Sequence, residues 1–519
     1  MLKNLQLTAF LVCLFSLTQA QSKLSIENVH ATYLRNSGTI MERNDIKGYF
    51  FFYQSDKINK STNEYTLQIL DQNINKVIDI KFEDSKKLNL LEAAYNGNSL
   101  SFLFKNQETK TLDLKVYSID GKLKYTYTRE YDKKTEDLMK RYETFHTDEG
   151  TNQNVFDLGE KGYASVLPIR EGNHRTYQVD FYSSVTKKQW TYIPTDEERY
   201  SNAEFLGSTD SLIIIQVFKK NRALSGGISS HLVGINFATR KLAFDIADDE
   251  SEEYKFVPTN VVHLKEQNKI MVMGNYFQQN AKIMKDHSEG LAIFEINTKG
   301  KILSKKYNSW AGDFAKHLPV NRKGKVESLG YLFIHKMINT PDGKLFVVGE
   351  GYKRQANAAG IALTALSIAG GRSNVGVTKI VVTDMVMMEF DSKYQLANAS
   401  IFEKTNNTAE ASTMSDYNSQ HAIALYLKGM GAFDYEFTTT EPDNSNFSVC
   451  FSDWVRSKEY KGKTFNSIRY NGDKYVTDKI ELKSAASSMK VFPAKAGSVL
   501  ILEYFKKAKK IEFRLERIG

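Results

Sequence analysis

The chain has 519 residues, a formal net charge of +9, 41% hydrophobic and 12% aromatic residues, and two cysteines. That apolar content excludes an intrinsically disordered chain and suffices for a large core. Two cysteines in so long a chain exclude a disulfide-built scaffold. With 70 basic residues against 61 acidic ones, nothing in the charge calls for a specific nucleic-acid partner.

The first residues read MLKNLQLTAFLVCLFSLTQAQ. Lys3 supplies a positive region, Leu5 to Leu17 an apolar run, and Thr18-Gln19-Ala20 small residues ahead of a cleavage point. This is the layout of a secretory signal peptide, 1–20, leaving a mature chain 21–519. Val12 stands where a lipobox before Cys13 would need a small residue. Export would leave Cys450 as the one thiol, and the absence of disulfides in an exported chain matches Gram-negative export. The expected location is periplasmic, outer-envelope associated or extracellular.

After the leader, short alternating strands dominate. Tyr65 to Leu70 alternates, as do Thr111 to Tyr117 and Lys122 to Tyr131. Sets of four strands begin near 48, 90, 154, 203, 258, 331, 433 and 485, around central strands such as SLSFLF, SLIIIQVF, KLFVVG and SVLILEYF. Four-stranded units of this length predict an all-β chain forming a single β-propeller of eight blades, with seven as the alternative. The last set shows three strands, and LSIENVHATYL at 24–34 supplies a fourth, joining the two ends of the chain. Tandem sandwiches would need a linker, and proline is sparse throughout. One helix is expected over 135–145, with Thr135 as its cap and Leu138, Tyr142 and Phe145 on one face. The basic cluster KKAKK at 506–510 reads as a hairpin turn. The polar stretches 247–256 and 405–419 read as loops.

The segment NTPDGKLFVV at 339–348, echoed by SIDGKL at 118–123, resembles the S-P-D-G-K loop of TolB-like β-propellers, with Thr340 in the serine position. More diffusely, the Lys-, Asn- and Tyr-rich composition, the leader and the VGEGYKR…TKIVVTDMVMMEFD segment resemble uncharacterised signal-bearing β-proteins of Bacteroidota. These resemblances imply architecture and no activity.

The uncharged block AGIALTALSIAGG at 359–371 interrupts the sixth set. Its alanines and the closing Gly370-Gly371 predict a short helical insertion near 356–371, packed on the propeller face or touching a membrane or partner. Catalytic signatures are missing: there is no G-x-S-x-G elbow, no HExxH and no His-x-His. Ser184-Val185-Thr186-Lys187 matches S-x-x-K between a strand and a turn, Gly462-Lys463-Thr464 lacks the first glycine of a phosphate loop, and Asp443 to Asn446 reads as an Asx turn. Asp384 and Glu389 fall on opposite faces of one strand. Cys450 is expected in a core, and Trp190, Trp310 and Trp454 in core or edge packing. No catalytic residue, metal ligand or cofactor is assigned. The reading is an exported, non-enzymatic binding or scaffolding protein whose partner is an envelope protein or glycan, met by the insertions 132–152, 310–330 and 354–378. The alternative is an envelope polysaccharide hydrolase or lyase with carboxylates in a central channel.

Overall fold

The computed structural model describes residues 23–518 apart from 43–44, 144–153, 196–198, 221–226, 250, 357–377, 410–418 and 496. The expected leader and the block at 359–371 lie outside the described residues. Ala356 belongs to a strand, Leu345–Ala356, and not to a helix. The chain divides into two compact units, Met1–Lys86 with Ser484–Gly519, and Lys87–Lys483.

The smaller unit holds two antiparallel sheets. One runs Lys23–Ile26, Lys510–Arg517, Ser498–Phe505 and Ser488–Pro493. The N-terminal strand therefore pairs with the C-terminal one, Leu24 opposite Phe513, and KKAKK forms the turn into that last strand. The other sheet is built on Asp45–Asp56, Thr62–Asp71 and Lys76–Ser85, with Gly38–Glu42 and Ala31–Thr32 on the free edge of its first strand. Alternation in GYFFFYQ places Tyr49, Phe51 and Tyr53 on one face, where they pack with Leu500, Leu502 and Phe513 of the other sheet. Phe51 sits 4.5 Å from the Phe513 ring and 5.8 Å, edge-on, from Phe492.

The larger unit repeats one antiparallel meander. Its sheets start at Leu88–Tyr95, Val155–Asp157, Tyr200–Ser208, Tyr254–Leu264, Tyr331–Asn339 and Tyr435–Thr440. The second and third merge through one parallel pairing, Arg175 with Tyr200. Both apolar faces of a central strand need cover, and consecutive sheets supply it by stacking face to face. Ile213, Ile215 and Val217 pack against Val179 and Phe181 of the sheet before, while Ile214 packs against Ile270 and Val272 of the sheet after. The same alternation links Val347 to Met271 and Met273, and Val348 to Val449 and Ile468. First strands lie beside one another in several successive sheets: Leu88–Tyr95 with Val155–Asp157, Tyr200–Ser208 with Tyr254–Leu264, and Tyr254–Leu264 with Tyr331–Asn339.

Most of these first strands carry a bulge, at Leu91, Leu206, Thr259, His335 and Glu436. A bulge adds one unpaired residue and re-aims it. The TPDGK loop closes as the resemblance implies: Thr340 Oγ1 donates to Asp342 Oδ1 at 2.5 Å and Gly343 takes a left-handed turn conformation, φ 81°.

Helix α1 spans Lys133–Glu143, and its cap is Asp132 and not Thr135: Asp132 Oδ1 accepts from the Thr135 amide at 2.7 Å. Its Met139 is buried; the side chains of Leu138 and Tyr142, and Phe145, lie outside the described residues. Within the segment 310–330, Trp310, Phe314, Leu318, Val326 and Leu329 fill a core, while Lys316, Arg322, Lys323 and Lys325 are exposed. Trp190 and Cys450 are buried, whereas Trp454 is 51% exposed and so lies outside the core. The stretch 405–419 holds a strand, Asn407–Ala409, and leads into a second helix, α2, Gln420–Met430.

Phe51→Ala should cost the smaller unit about 3–5 kcal/mol. Hydrogen exchange followed by mass spectrometry should show faster exchange across 45–56, 488–493 and 510–517. Unchanged exchange there would contradict the packing described.

Candidate functional site

The site is assembled from first strands and α2. Ser419 caps α2, its Oγ accepting from Ala422 N at 3.2 Å, and Gly431 ends it with φ 61°. Only glycine takes that left-handed position without strain. Ile423, Ala424 and Leu427 form its apolar face and bury against Tyr352, Ile380 and Val382. At its start, the Gln420 carbonyl accepts from Tyr352 OH at 2.9 Å. At its end, the Lys428 ammonium pairs with Glu204 on the strand Tyr200–Ser208.

Beside this helix lies a cavity of about 320 Å³. Phe277, Phe333, Tyr352, Phe433 and Tyr435 give it aromatic walls, and Gln216, Asn260, Asn275 and Gln420 give it amides. Phe333 and Phe433 stack at 4.5 Å and 15°, and His335 stacks on Tyr435 at 4.5 Å and 16°. His421 reaches in from the first turn of α2, edge-on to Phe218 and Phe277. Burial pushes its imidazole down to about 4, so it is neutral at pH 7. Three of the lining residues each hold a polar atom that is closed to solvent and finds no hydrogen-bond partner among the described residues: Gln216 Nε2, Gln420 Oε1 and His421 Nε2. Each such group costs about 1–3 kcal/mol when left unsatisfied.

Behind His335 runs a buried chain of charges. His335 Nε2 lies 3.0 Å from Glu350 Oε2. The other Glu350 oxygen is 3.2 Å from Lys404 Nζ, which in turn is 2.5 Å from Asp434 Oδ2. The side chains of Glu350 and Lys404 are fully enclosed. Glu350 also accepts from the amides of Asp434 and Tyr435, at 3.1 and 3.3 Å. Burial alone would raise its carboxyl, but the hydrogen bond from His335, the Lys404 ammonium and these amides outweigh it and hold the carboxyl below the usual range. Asp434 has Lys404 and the Asn407 amide, 3.0 Å away, as partners. Burial pushes its carboxyl up, to about 7, against the pull of Lys404. Asp434 opens onto a second cleft of about 600 Å³, lined also by Glu436, Asp453, Trp454 and Arg456.

The sequence assigned none of these residues a role, and most of its candidates lie elsewhere. Lys463 and Thr464 stand in an ordinary strand, Lys461–Tyr470, with Lys463 at the edge of the second cleft. Asp443 forms an Asx turn by accepting from Ser445 N at 2.9 Å. Ser184 accepts from Asn96 Nδ2 in a turn. Among the described residues no group of three or more His, Cys, Asp or Glu side chains is placed to hold a metal ion, and no helix is long and apolar enough to cross a membrane.

A family model matches residues 1–519, that of the family of unknown function DUF6770. The chain belongs to that family. No curated protein matches it by sequence. Among solved structures it is similar to the WD40 domain of SCAP from fission yeast, at 7% identity over 96% of this chain and 93% of that one, with a TM-score of 0.35. It is also similar to prolyl oligopeptidase B from Galerina marginata, at 7% identity over 93% of this chain and 57% of that one, with a TM-score of 0.40.

All three tryptophans, Trp190, Trp310 and Trp454, belong to the larger unit, so their fluorescence follows its unfolding. Lys404→Met leaves two enclosed carboxylates without their cation and should cost this DUF6770 protein about 3–5 kcal/mol. Asp434 is raised from 3.8 in the fold, so the native state keeps a proton that the unfolded chain has released. Its burden on stability is absent below about pH 4 and grows until about pH 7. The denaturant midpoint of the wild type should therefore fall relative to Asp434→Asn as pH rises through that window. A constant difference would show that Asp434 titrates as an ordinary carboxyl.

Proposed function

We propose that this chain is an exported binding protein of the bacterial envelope, built as a single propeller of eight four-stranded blades, which takes a ligand in the cavity beside α2. The cavity carries the reading: aromatic walls and the side chains of Gln216, Asn260, Asn275 and Gln420 line one space, and pre-formed pockets with a few polar groups are the usual form of a ligand site. The repeated face-to-face stacking of meanders supports the propeller. Pairing of Lys23–Ile26 with Lys510–Arg517 is the kind of end-to-end closure that a ring uses to remove an exposed edge. The leader-like residues 1–20 support export.

The rival reading, a hydrolase or lyase acting on envelope polysaccharide, has one observation in its favour. The raised Asp434 carboxyl faces a cleft that also presents the exposed Trp454. Against it, Glu350 is enclosed and saturated with donors, and Lys404 holds both carboxylates. An acid–base pair needs free access to substrate on both members.

Fractionation of cells expressing a C-terminally tagged chain should place it in the periplasmic or outer-envelope fraction, with an N-terminal peptide beginning at Gln21. Cytosolic protein that retains residues 1–20 would overturn the export reading. Purified protein should release no reducing ends from envelope polysaccharide. Release that Asp434→Asn abolishes would favour the enzyme instead.

A further inference from the structure

We infer that the second cleft is a docking site for an acidic glycan, one whose sugar rings carry carboxylates. This does not rest on the cavity beside α2, because the residues that carry it, Trp454, Arg456, Lys461 and Lys463, take no part in lining that cavity. The strand Phe447–Arg456 pairs with Lys461–Tyr470 without a break in register. Side chains two apart share one face of a strand, and residues directly opposite share it too. Trp454 and Arg456 therefore stand on the same face, with Lys463 opposite the first and Lys461 opposite the second. Trp454, Arg456 and Lys463 line the cleft of about 600 Å³. Trp454 is 51% exposed, and Arg456 and Lys461 are exposed beside it.

Folding alone gives little reason for this arrangement. A tryptophan half in water forgoes much of the burial that makes its large ring stabilising. Like charges directly opposite each other in a sheet repel, and neither Arg456 nor Lys461 has an ion-pair partner among the described residues. The carboxylates of the cleft are engaged elsewhere. Asp453 accepts from the Thr405 amide, at 3.1 and 3.2 Å to its two oxygens, and from the Trp454 amide at 2.7 Å. Glu436 accepts from Ser452 Oγ and faces Lys463 at 3.9 Å. Asp434 is held by Lys404 and Asn407. In the connecting turn, Lys458 and Glu459 carry one charge of each sign. What is left over is a pair of cations beside an open indole.

A sugar ring bearing a carboxylate answers both. The apolar C–H face of a pyranose can lie on the indole, and a carboxylate takes two parallel hydrogen bonds from a guanidinium. Alternate residues of a strand stand roughly 7 Å apart, a span on the scale of one uronate residue. A neutral glycan would leave Arg456 and Lys461 repelling each other. Free phosphate would use the cations and leave the indole open. A bilayer is flat and would meet the rim of a cleft, not the residues along its wall.

The test titrates the mature chain with trigalacturonate, its methyl ester, inorganic phosphate and phosphatidylglycerol vesicles, followed by calorimetry and tryptophan fluorescence. The expected result is saturable binding of trigalacturonate, weaker at physiological than at low salt, with an emission change that Trp454→Phe removes. The methyl ester keeps the rings without the charge and should bind at least tenfold more weakly. Arg456→Gln and Trp454→Ala should each weaken trigalacturonate by about tenfold. Both side chains are exposed, so the denaturant midpoints of these variants should match the wild type, which separates lost recognition from lost folding. If the methyl ester binds as tightly as the acid, the inference falls. It falls equally if phosphate or the vesicles bind more tightly than trigalacturonate and depend on Arg456. If trigalacturonate does not bind at millimolar concentration, or binds regardless of both substitutions, the acidic-glycan site is overturned while the cavity beside α2 is untouched.

Discussion

A four-stranded antiparallel sheet whose central strands are apolar on both faces cannot be stable alone, and this constraint organises the molecule. In the run LIIIQVF, alternate side chains go to opposite faces, and both sets are enclosed. Each fully buried Ile or Val contributes on the order of 1.5–3 kcal/mol, but only if a second sheet arrives on each side. Stacking supplies that partner repeatedly within the larger unit, from Leu114 and Val116 packed with Tyr163 and Leu167 through to Val348 packed with Val449. The outer strands, such as Leu123–Glu130 and Tyr475–Glu481, keep mixed or polar faces because little lies beyond them. First strands are crowded together instead, and there the bulges let polar side chains such as Thr259 and His335 turn into the cavity.

Burying charges inside such a stack is expensive, and the Glu350 network shows how it is tolerated. Glu350 accepts from His335, Lys404 and two backbone amides, so each of its lone pairs has a donor. Two of those donors belong to the backbone immediately after α2. The network therefore holds the backbone at Asp434 and Tyr435, and with it the wall formed by Phe433 and Tyr435. The arrangement is better described as positional than as stabilising: a buried ion pair seldom outperforms an apolar replacement in free energy. What it supplies is a single geometry for the loop that separates the cavity from the Asp434 cleft.

Much of the strand order was legible, because the period-two alternation of runs such as TLDLKVY and GYFFFY is a local signal and every meander lies close in sequence. The pairing of 23–26 with the C-terminal strand was legible for a different reason: one set was a strand short. Helix α2 was missed although its marks are present, with Ser419 at the cap, Ile423 and Leu427 one turn apart and Gly431 at the stop. It follows a polar stretch in a chain otherwise made of strands, and that context masked it. The network was not legible at all. Glu350 and Asp434 are 84 residues apart, and nothing local announces that Lys404 will stand between them. One clue was available in LFVVGEGY: a glutamate flanked by glycines inside an apolar strand must have a buried partner. Gln216 in LIIIQVF is the same kind of clue. Trp454 could be expected in a core or in edge packing, and only the fold shows that its face is open.

Stability and site can be weighed against each other on one strand. Replacing Gln216 by a hydrophobe would complete an already continuous apolar surface and remove an unsatisfied amide, so folding alone gives no reason for a glutamine there. The same holds for His421, an imidazole enclosed between Phe218 and Phe277 where a phenyl ring would pack as well. Two positions that a core would fill with carbon thus carry nitrogen in residues beside one cavity, from elements more than 200 residues apart. A large stack of sheets has stability enough to carry a few such costs. Both are borne at one place, beside a helix anchored at each end by Tyr352 and Glu204.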